Sequence, residues 1–228
     1  MDSIPERVNK SKIGQPSEDF EVLLCHRDRT GWHSHCQLFP PPPYVHEHSY
    51  SEISSYSVVS GGSLICISVK DRGTYVLDTA SRHLWEKVGD WKPPFQGKVE
   101  YVPELKLWFG LSADAKHLVA ADLSTVDSQP QIVGHWKNEL CPREEWIELR
   151  DVRLVNLGSG RFCIARFFVT SVRDDFGFRL YDETFVVLTG VEVVPRVLDG
   201  NGEVKLEMIP HKSRRHTPVN GASIEEVF

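Results

Sequence analysis

Residues 64–78 read LICISVKDRGTYVLD, and this stretch decides the fold. Two apolar, partly β-branched runs, Leu64–Val69 and Thr74–Leu77, flank the tripeptide Asp71-Arg72-Gly73. Runs of this length and composition favour strands, and glycine accepts the positive φ that tight turns require. The stretch therefore predicts two antiparallel strands joined by a tight turn.

The same alternation of apolar runs and turn clusters continues along most of the chain. The other predicted strands are Phe20–Cys25, Val99–Val102, Leu107–Leu111, His117–Ala121, Arg161–Phe168, Phe185–Val194 and Val204–Ile209. Helical periodicity is confined to Pro142–Leu149, where Pro142 suits a first helical position. Short strands at this spacing with almost no helix predict an all-β fold of the sandwich, barrel or propeller type.

A repeat of about 44 residues favours the propeller among these architectures. Shifting the chain by 44 places Ser68 on Ser112 and Asp78 on Asp122, and a tryptophan, Trp91 or Trp136, follows each aspartate. Periods of roughly 40–50 residues are typical of propellers, in which four-stranded antiparallel blades stack around an axis. We therefore predict an all-β, β-propeller-like fold of kelch-like blades, with a small or incomplete ring. A sandwich or a barrel stays open as an alternative.

The repeat also predicts the domain organisation. Residues 1–18 are predicted to be a flexible tail, and residues 19–228 a single propeller-like domain with units at about 53–98, 99–142 and 150–198. The third unit carries an insertion around Ser171–Glu183. The aspartate that ends the third strand of a unit is expected to accept hydrogen bonds from turn amides. The tryptophan that follows is expected to fill the space between blades.

Composition and charge exclude several classes of protein. The 228-residue chain has a net charge of −6 and 40% hydrophobic residues, without an apolar run long enough to span a membrane. We therefore predict no nucleic-acid partner, no membrane partner, and a cytoplasmic or nuclear location. The five cysteines include no C-x-x-C pair, which favours reduced thiols. One basic patch, Lys212, Arg214 and Arg215, is interpreted as a solvated strand end, with an import signal or a contact with an acidic partner as the alternatives.

Two sets of motifs carry a resemblance to known families. Residues 73–81, GTYVLDTAS, followed by Trp85, Val88–Trp91 and Pro94-Phe95, resemble a kelch-like unit. Further motifs resemble a large plant family, expanded in grasses, of unknown function and with kelch-like or F-box-associated character; they are Gly97–Leu105, Leu107–Ser112, Leu157–Phe168 and Thr189–Glu192.

That resemblance spans about residues 40–228 and implies a propeller-like fold with no established chemistry and no catalytic residue. The chain departs from the pattern in two places. The paired glycine of a regular kelch repeat occurs only at Gly61-Gly62, and no F-box segment precedes the β region.

Histidines and cysteines are concentrated near the N-terminus and raise the question of a metal site. The cluster is Cys25, His26, His33, His35, Cys36, His46 and His48. Zinc takes four nitrogen or sulfur ligands, but the spacing matches none of its usual motifs. We therefore interpret the cluster as exposed imidazoles on extended segments, with zinc as the alternative.

Tryptophans are the other candidate contacts. Trp32 and Trp146 lie near predicted loops and are candidates for contact with a partner, whereas the tryptophans at strand or repeat positions are predicted to be packing residues: Trp85, Trp91, Trp108 and Trp136.

The sequence assigns no catalytic, cofactor-binding or metal-binding residue and implies no cofactor. It predicts a non-enzymatic interaction module that reads an unknown protein partner with its loops, of which the longest are Pro40–Ser55, Asp122–Pro130 and Thr170–Glu183. Two alternatives stay open. One is a small-molecule or carbohydrate-acting enzyme that uses a central channel, and the other is a ligase substrate-receptor remnant without its F-box.

Overall fold

The fold, given by a computed structural model, is all-β, which confirms the predicted class. The structure describes residues 20–27, 29–46, 51–59, 63–81, 84–113, 117–123, 130–137, 142–149, 152–173, 179–197 and 204–218. Within these ranges it contains strands, one 3-10 helix at Pro43–His46, and no α-helix. The strands are β1 Phe20–Arg27, β2 Trp32–Phe39, β3 Ile53–Val59, β4 Leu64–Val69, β5 Gly73–Asp78, β6 Trp85–Gly89, β7 Gln96–Val102, β8 Leu107–Leu111, β9 Leu118–Asp122, β10 Gln131–Trp136, β11 Trp146–Glu148, β12 Arg153–Gly158, β13 Arg161–Arg173, β14 Arg179–Val197 and β15 Val204–His216.

The chain divides into two compact units. The first comprises residues 1–101 and 122–131, and the second comprises residues 102–121 and 132–228. The predicted tail, residues 1–18, lies outside the described residues. The single domain over 19–228 and its three internal units stay predictions, as does the propeller arrangement.

In the first unit, five strands follow the order β7-β3-β4-β5-β6. The stretch that predicted a hairpin forms one: β4 and β5 pair antiparallel from Leu64 opposite Asp78 to Val69 opposite Gly73. Gly73 adopts a φ of 95° in the turn, the conformation for which glycine is suited. Strand β3 pairs antiparallel with β4, and it also meets β7 in parallel over two residue pairs.

The core of the first unit lies between the β4–β5 hairpin and the β1–β2 hairpin. Period-2 alternation turns Ile65, Ile67 and Val69 towards this core. Phe20 of β1 packs edge-to-face on Trp85, with ring centroids 5.2 Å apart, and the Trp85 indole donates a hydrogen bond of 2.8 Å to the carbonyl of Pro40. These contacts attach the β1–β2 hairpin to the unit.

In the second unit, β8, β9 and β10 are consecutive neighbours, and a separate sheet has the order β11-β13-β14-β15, with β12 also pairing with β13. Apolar residues of β8 and β9 pack against those of β12, β13 and β14. Phe109 and Phe162 lie at the centre, both 0% exposed, with ring centroids 5.0 Å apart.

The short turn predicted near Pro142–Leu149 forms, but it leads into a strand and not into a helix. The amide of Trp146 donates to the carbonyl of Arg143, and the chain then forms β11 antiparallel to β13. As a strand residue, Trp146 places its ring 5.4 Å from Phe168 and 4.8 Å from Phe185. This aromatic packing outweighs the local helix signal, because propensity is a weak prior beside tertiary contacts.

The loop predicted at Thr170–Glu183 is mostly strand. Strand β13 continues to Arg173 and β14 begins at Arg179, so that the two form one long hairpin. The register shifts between Val169 and Ser171, a bulge that absorbs one residue without ending the pairing. The insertion in the third unit is therefore an extension of the sheet, and its turn, residues 174–178, lies outside the described residues.

Two features of the 44-residue repeat have structural counterparts. The Asp78 carboxylate accepts hydrogen bonds from the amides of Ala80 and Ser81, each 2.9 Å long, as predicted for the aspartate that ends a third strand. Gly89 and Gly134 each lie beneath the indole of the tryptophan two residues later. A Cβ at Gly89 would lie 2.3 Å from Trp91 Nε1, and one at Gly134 would lie 2.2 Å from Trp136 Cη2. Each glycine thus provides the space that an indole fills.

Candidate interaction site

The β1–β2 hairpin has two chemically different faces. Its register runs from Phe20 opposite Phe39 to Arg27 opposite Trp32, and directly opposed residues share a face. The face that carries Val22 and Phe39 is 0% and 3% exposed at these two positions and belongs to the core of the first unit. The hairpin is therefore held by one face at the Phe20–Phe39 end.

The opposite face is largely exposed and mixes apolar with polar side chains. Trp32 and Leu38 are 67% and 62% exposed, and Cys36 between them is also exposed. Leu23 and Cys25 of β1 lie on the same face and are half-buried. We call the apolar residues and cysteines of this face, Leu23, Cys25, Trp32, Cys36 and Leu38, the outer face of the hairpin. A large aromatic side chain exposed on a paired strand is suited to contact with a partner.

The strand register separates the histidines and cysteines of the N-terminal cluster. His33 and His35 lie on the face of Val22, whereas Cys25 and Cys36 lie on the outer face. A pair of histidines and a cysteine from this hairpin therefore do not converge on one point. The side chains of His26 and His46, and all of His48, lie outside the described part. Within the described residues, no three metal-ligating side chains cluster.

Trp146, the second tryptophan predicted to contact a partner, is instead a packing residue. Its ring packs against Phe168 and Phe185, which are fully or nearly fully buried. Arg166 lies over Phe168 and forms a two-pronged ion pair with Glu148, at 2.9 and 3.3 Å. This cluster joins β11, β13 and β14 by cation–π and charge-assisted contacts.

The basic patch predicted at residues 212–215 does not form one surface. Arg214 and Arg215 are adjacent on β15, so their side chains point to opposite faces of the sheet. The Arg215 guanidinium lies 3.9 Å from the Phe185 ring centroid and pairs with Glu183. Part of the predicted patch therefore contributes to packing and ion pairing.

The predicted loops are partly described. Pro40–Ser55 contains the 3-10 helix Pro43–His46, whose Tyr44 is 8% exposed and packs in the core of the first unit, so this part of the loop is structural. Residues 47–50 and 124–129, the middle of two of the predicted loops, lie outside the described residues.

Buried groups that titrate in the first unit have raised pKa values. Burial raises the pKa of the Cys66 thiol to about 11, partly offset by a hydrogen bond with Ser57. Burial, followed by the charge of Tyr75, raises the pKa of Tyr44 to about 12. Burial also raises the pKa of Cys163 in the second unit. A raised thiol pKa keeps the weakly reactive protonated form at neutral pH.

The Cys66 thiol predicts a loss of stability at alkaline pH. Because its pKa rises from 9.0 to about 11 on folding, its stabilising effect is complete below pH 9 and is lost as the pH rises towards 11. Between pH 8 and pH 11, we expect the free energy of unfolding of the wild-type protein to fall by about 2 kcal/mol more than that of a Cys66→Ala variant. Urea unfolding of both proteins at each pH measures this difference, and equal losses in the two proteins would contradict it.

No helix among the described residues is long and apolar enough to cross a membrane. One protein-family model, described as a protein of unknown function (DUF1668), matches residues 1–216. Neither the curated proteins nor the solved structures contain a match to the chain.

Proposed function

Since the chain belongs to the DUF1668 family, whose function is unknown, we propose a function from its exposed surfaces. The protein is a non-enzymatic protein-interaction module. The observation that carries this proposal is the outer face of the hairpin, where Trp32 is 67% exposed on a strand whose other end, at Phe39, enters a core. Tryptophan is enriched among residues that dominate binding energy at protein interfaces.

The anchoring of the hairpin supports the same role. Val22, Phe39 and the Phe20–Trp85 contact fix one end, so the exposed residues are presented on ordered strands. Presentation on a fixed element lowers the entropy lost on binding. The occupant is a protein with an apolar pocket that receives the Trp32 indole and a second, smaller apolar contact for Leu38, about 20 Å away along β2.

The same proposal includes a β-propeller-like arrangement of kelch-like blades. Strands β3 to β6 are four consecutive strands paired antiparallel with their neighbours, and β12 to β15 form a second such set. Strand β3 pairs in parallel with β7 between Ser55–Tyr56 and Gly97–Lys98. This contact supports an arrangement in which β3 and β7 are the neighbouring first strands of two successive blades. A kelch-like or F-box-associated relationship, an origin in the grasses and a cytoplasmic or nuclear location belong to the proposal as well.

Substitution of the outer face tests the interaction. We expect Trp32→Ala combined with Leu38→Ala to weaken binding of the partner at least about 30-fold, because loss of a hot-spot tryptophan costs about 2 kcal/mol or more. Partners are captured from the tissue of origin with the full chain, identified by mass spectrometry, and their affinities are then measured with purified proteins.

Leu84→Ala is the matched control, because Leu84 is 63% exposed and lies outside the hairpin. Partners that bind the double variant as tightly as the wild-type protein would contradict a role of the outer face. A comparable loss of binding in Leu84→Ala would show that exposed apolar area in general, rather than this face, drives the capture.

A further inference from the structure

Two histidines of the second unit face each other at short range. His117 precedes β9, and His135 lies on the neighbouring strand β10. Nδ1 of His117 lies 3.0 Å from Nε2 of His135, the ring centroids are 4.7 Å apart, and the ring planes are inclined by 69°. The two residues are 18 positions apart and on different elements, so no spacing motif reveals the pair.

The two distances are compatible with an ion shared by both rings. A ring nitrogen lies about 1.2 Å from its ring centroid. An ion placed on both centroid-to-nitrogen axes satisfies the separations of 3.0 and 4.7 Å at about 2.1 Å from each nitrogen, with an angle of about 90° between them. This distance is that of a metal–imidazole bond. We infer that His117 and His135 form a two-histidine site for a divalent transition-metal ion.

The donor atoms select the kind of ion. Imidazole suits Zn²⁺, Cu²⁺ and Ni²⁺, whereas Mg²⁺ and Ca²⁺ take oxygen ligands. The separation of 3.0 Å is the hydrogen-bond distance of the pair, so it does not distinguish a tetrahedral ion from a square-planar or octahedral one. The site is therefore assigned to a divalent transition-metal ion of this group, for which Ni²⁺ is the probe.

The site is held in place on one side and open on the other. The amide of Ser112 donates to the carbonyl of His117, and the amide of His117 donates to Ser112 Oγ, both at 2.9 Å. These bonds fix the backbone that carries the half-buried His117, while His135 is exposed to solvent. Within the described residues no third side chain completes a cluster of metal ligands.

Metal binding needs a lone pair on both facing nitrogens. In the hydrogen-bonded pair, one of the two nitrogens carries the proton and the other accepts it. The donating ring therefore moves its proton to its other nitrogen when the ion binds, and both rings stay neutral. The ion then replaces one hydrogen bond by two coordinate bonds that join β10 to the segment before β9.

Titration with Ni²⁺ tests the site. Calorimetry of the wild-type protein is expected to show one principal site, with affinity at least about tenfold weaker in His117→Gln or His135→Gln, because each substitution removes one of two protein ligands. The melting temperature of the wild-type protein should rise with Ni²⁺, and that of either variant should not. His135 is exposed, so His135→Gln provides the test if His117→Gln does not fold.

A double variant, His33→Gln with His35→Gln, is the control. These two histidines lie on the same face of β2 and are the rival pair among the described residues. Their replacement should leave the principal Ni²⁺ affinity unchanged. The inference is overturned if the affinity falls in this control, or if it is unaltered in His135→Gln.

Discussion

Phe162→Ala is expected to lower the free energy of unfolding by about 3–5 kcal/mol, the usual cost of removing a large aromatic ring from a packed core. Phe162 is 0% exposed and packs on Phe109 in the core of the second unit. The loss has two parts, the transfer free energy of the ring and the cost of the cavity it leaves. The cavity persists because the neighbouring strands hold the surrounding backbone in place. Urea unfolding followed by tryptophan fluorescence measures the change.

Leu157→Ala serves as the control for this substitution. Leu157 lies on β12, next to β13, but it is 58% exposed. Its replacement should change the stability by no more than about 0.5 kcal/mol, as is usual for surface positions. Similar losses in the two variants would show that Phe162 does not lie in the core described here.

Gly160→Ala is expected to destabilise the protein by about 2–4 kcal/mol, since it combines two unfavourable effects. Gly160 adopts a φ of 74°, in the region that residues with a Cβ avoid. A Cβ there would also lie 2.6 Å from the carbonyl oxygen of Val193, a backbone atom of the neighbouring strand. The Val193 amide donates to the Gly160 carbonyl at 2.8 Å, so relief of the clash would strain this bond.

Gly97→Ala separates the two effects. Gly97 has the same φ of 74°, but a Cβ there would meet no atom within 4 Å. This variant should lose only the conformational part, about 1–2 kcal/mol. Thermal or urea unfolding of both variants gives the difference. If Gly97→Ala were as destabilising as Gly160→Ala, the close approach of Val193 to the β12–β13 turn would not be the cause.

The sequence predicted strands well where their residues are apolar and less well where they are exposed. The hairpin at residues 64–78 has continuous apolar runs and a turn glycine, and it forms as predicted. Strands β2, β6 and β10 mix their apolar residues with polar ones or glycine, so their composition gives no continuous apolar run. The sequence does not predict β11, because this strand is stabilised by a long-range contact of Trp146 with two phenylalanines.

The candidate sites depended on strand register, which the sequence alone did not supply. Trp32 was singled out for its position near a loop, and the structure finds it exposed. The division of the hairpin into a core face and an outer face needs the pairing of β1 with β2, because a shift of one residue would exchange the two. The pair His117 and His135 arises from the neighbouring positions of β9 and β10.

The packing of the Trp136 indole over Gly134 affects the order in which these two positions can be substituted during evolution. A Cβ at position 134 would lie 2.2 Å from Cη2 at the far end of the Trp136 indole, so a larger residue there requires the indole to move. Exchange of the tryptophan for a smaller residue removes this requirement, whereas the reverse order passes through an intermediate with a displaced indole. Gly89 and Trp91 give the same preferred order at the corresponding place in the preceding repeat.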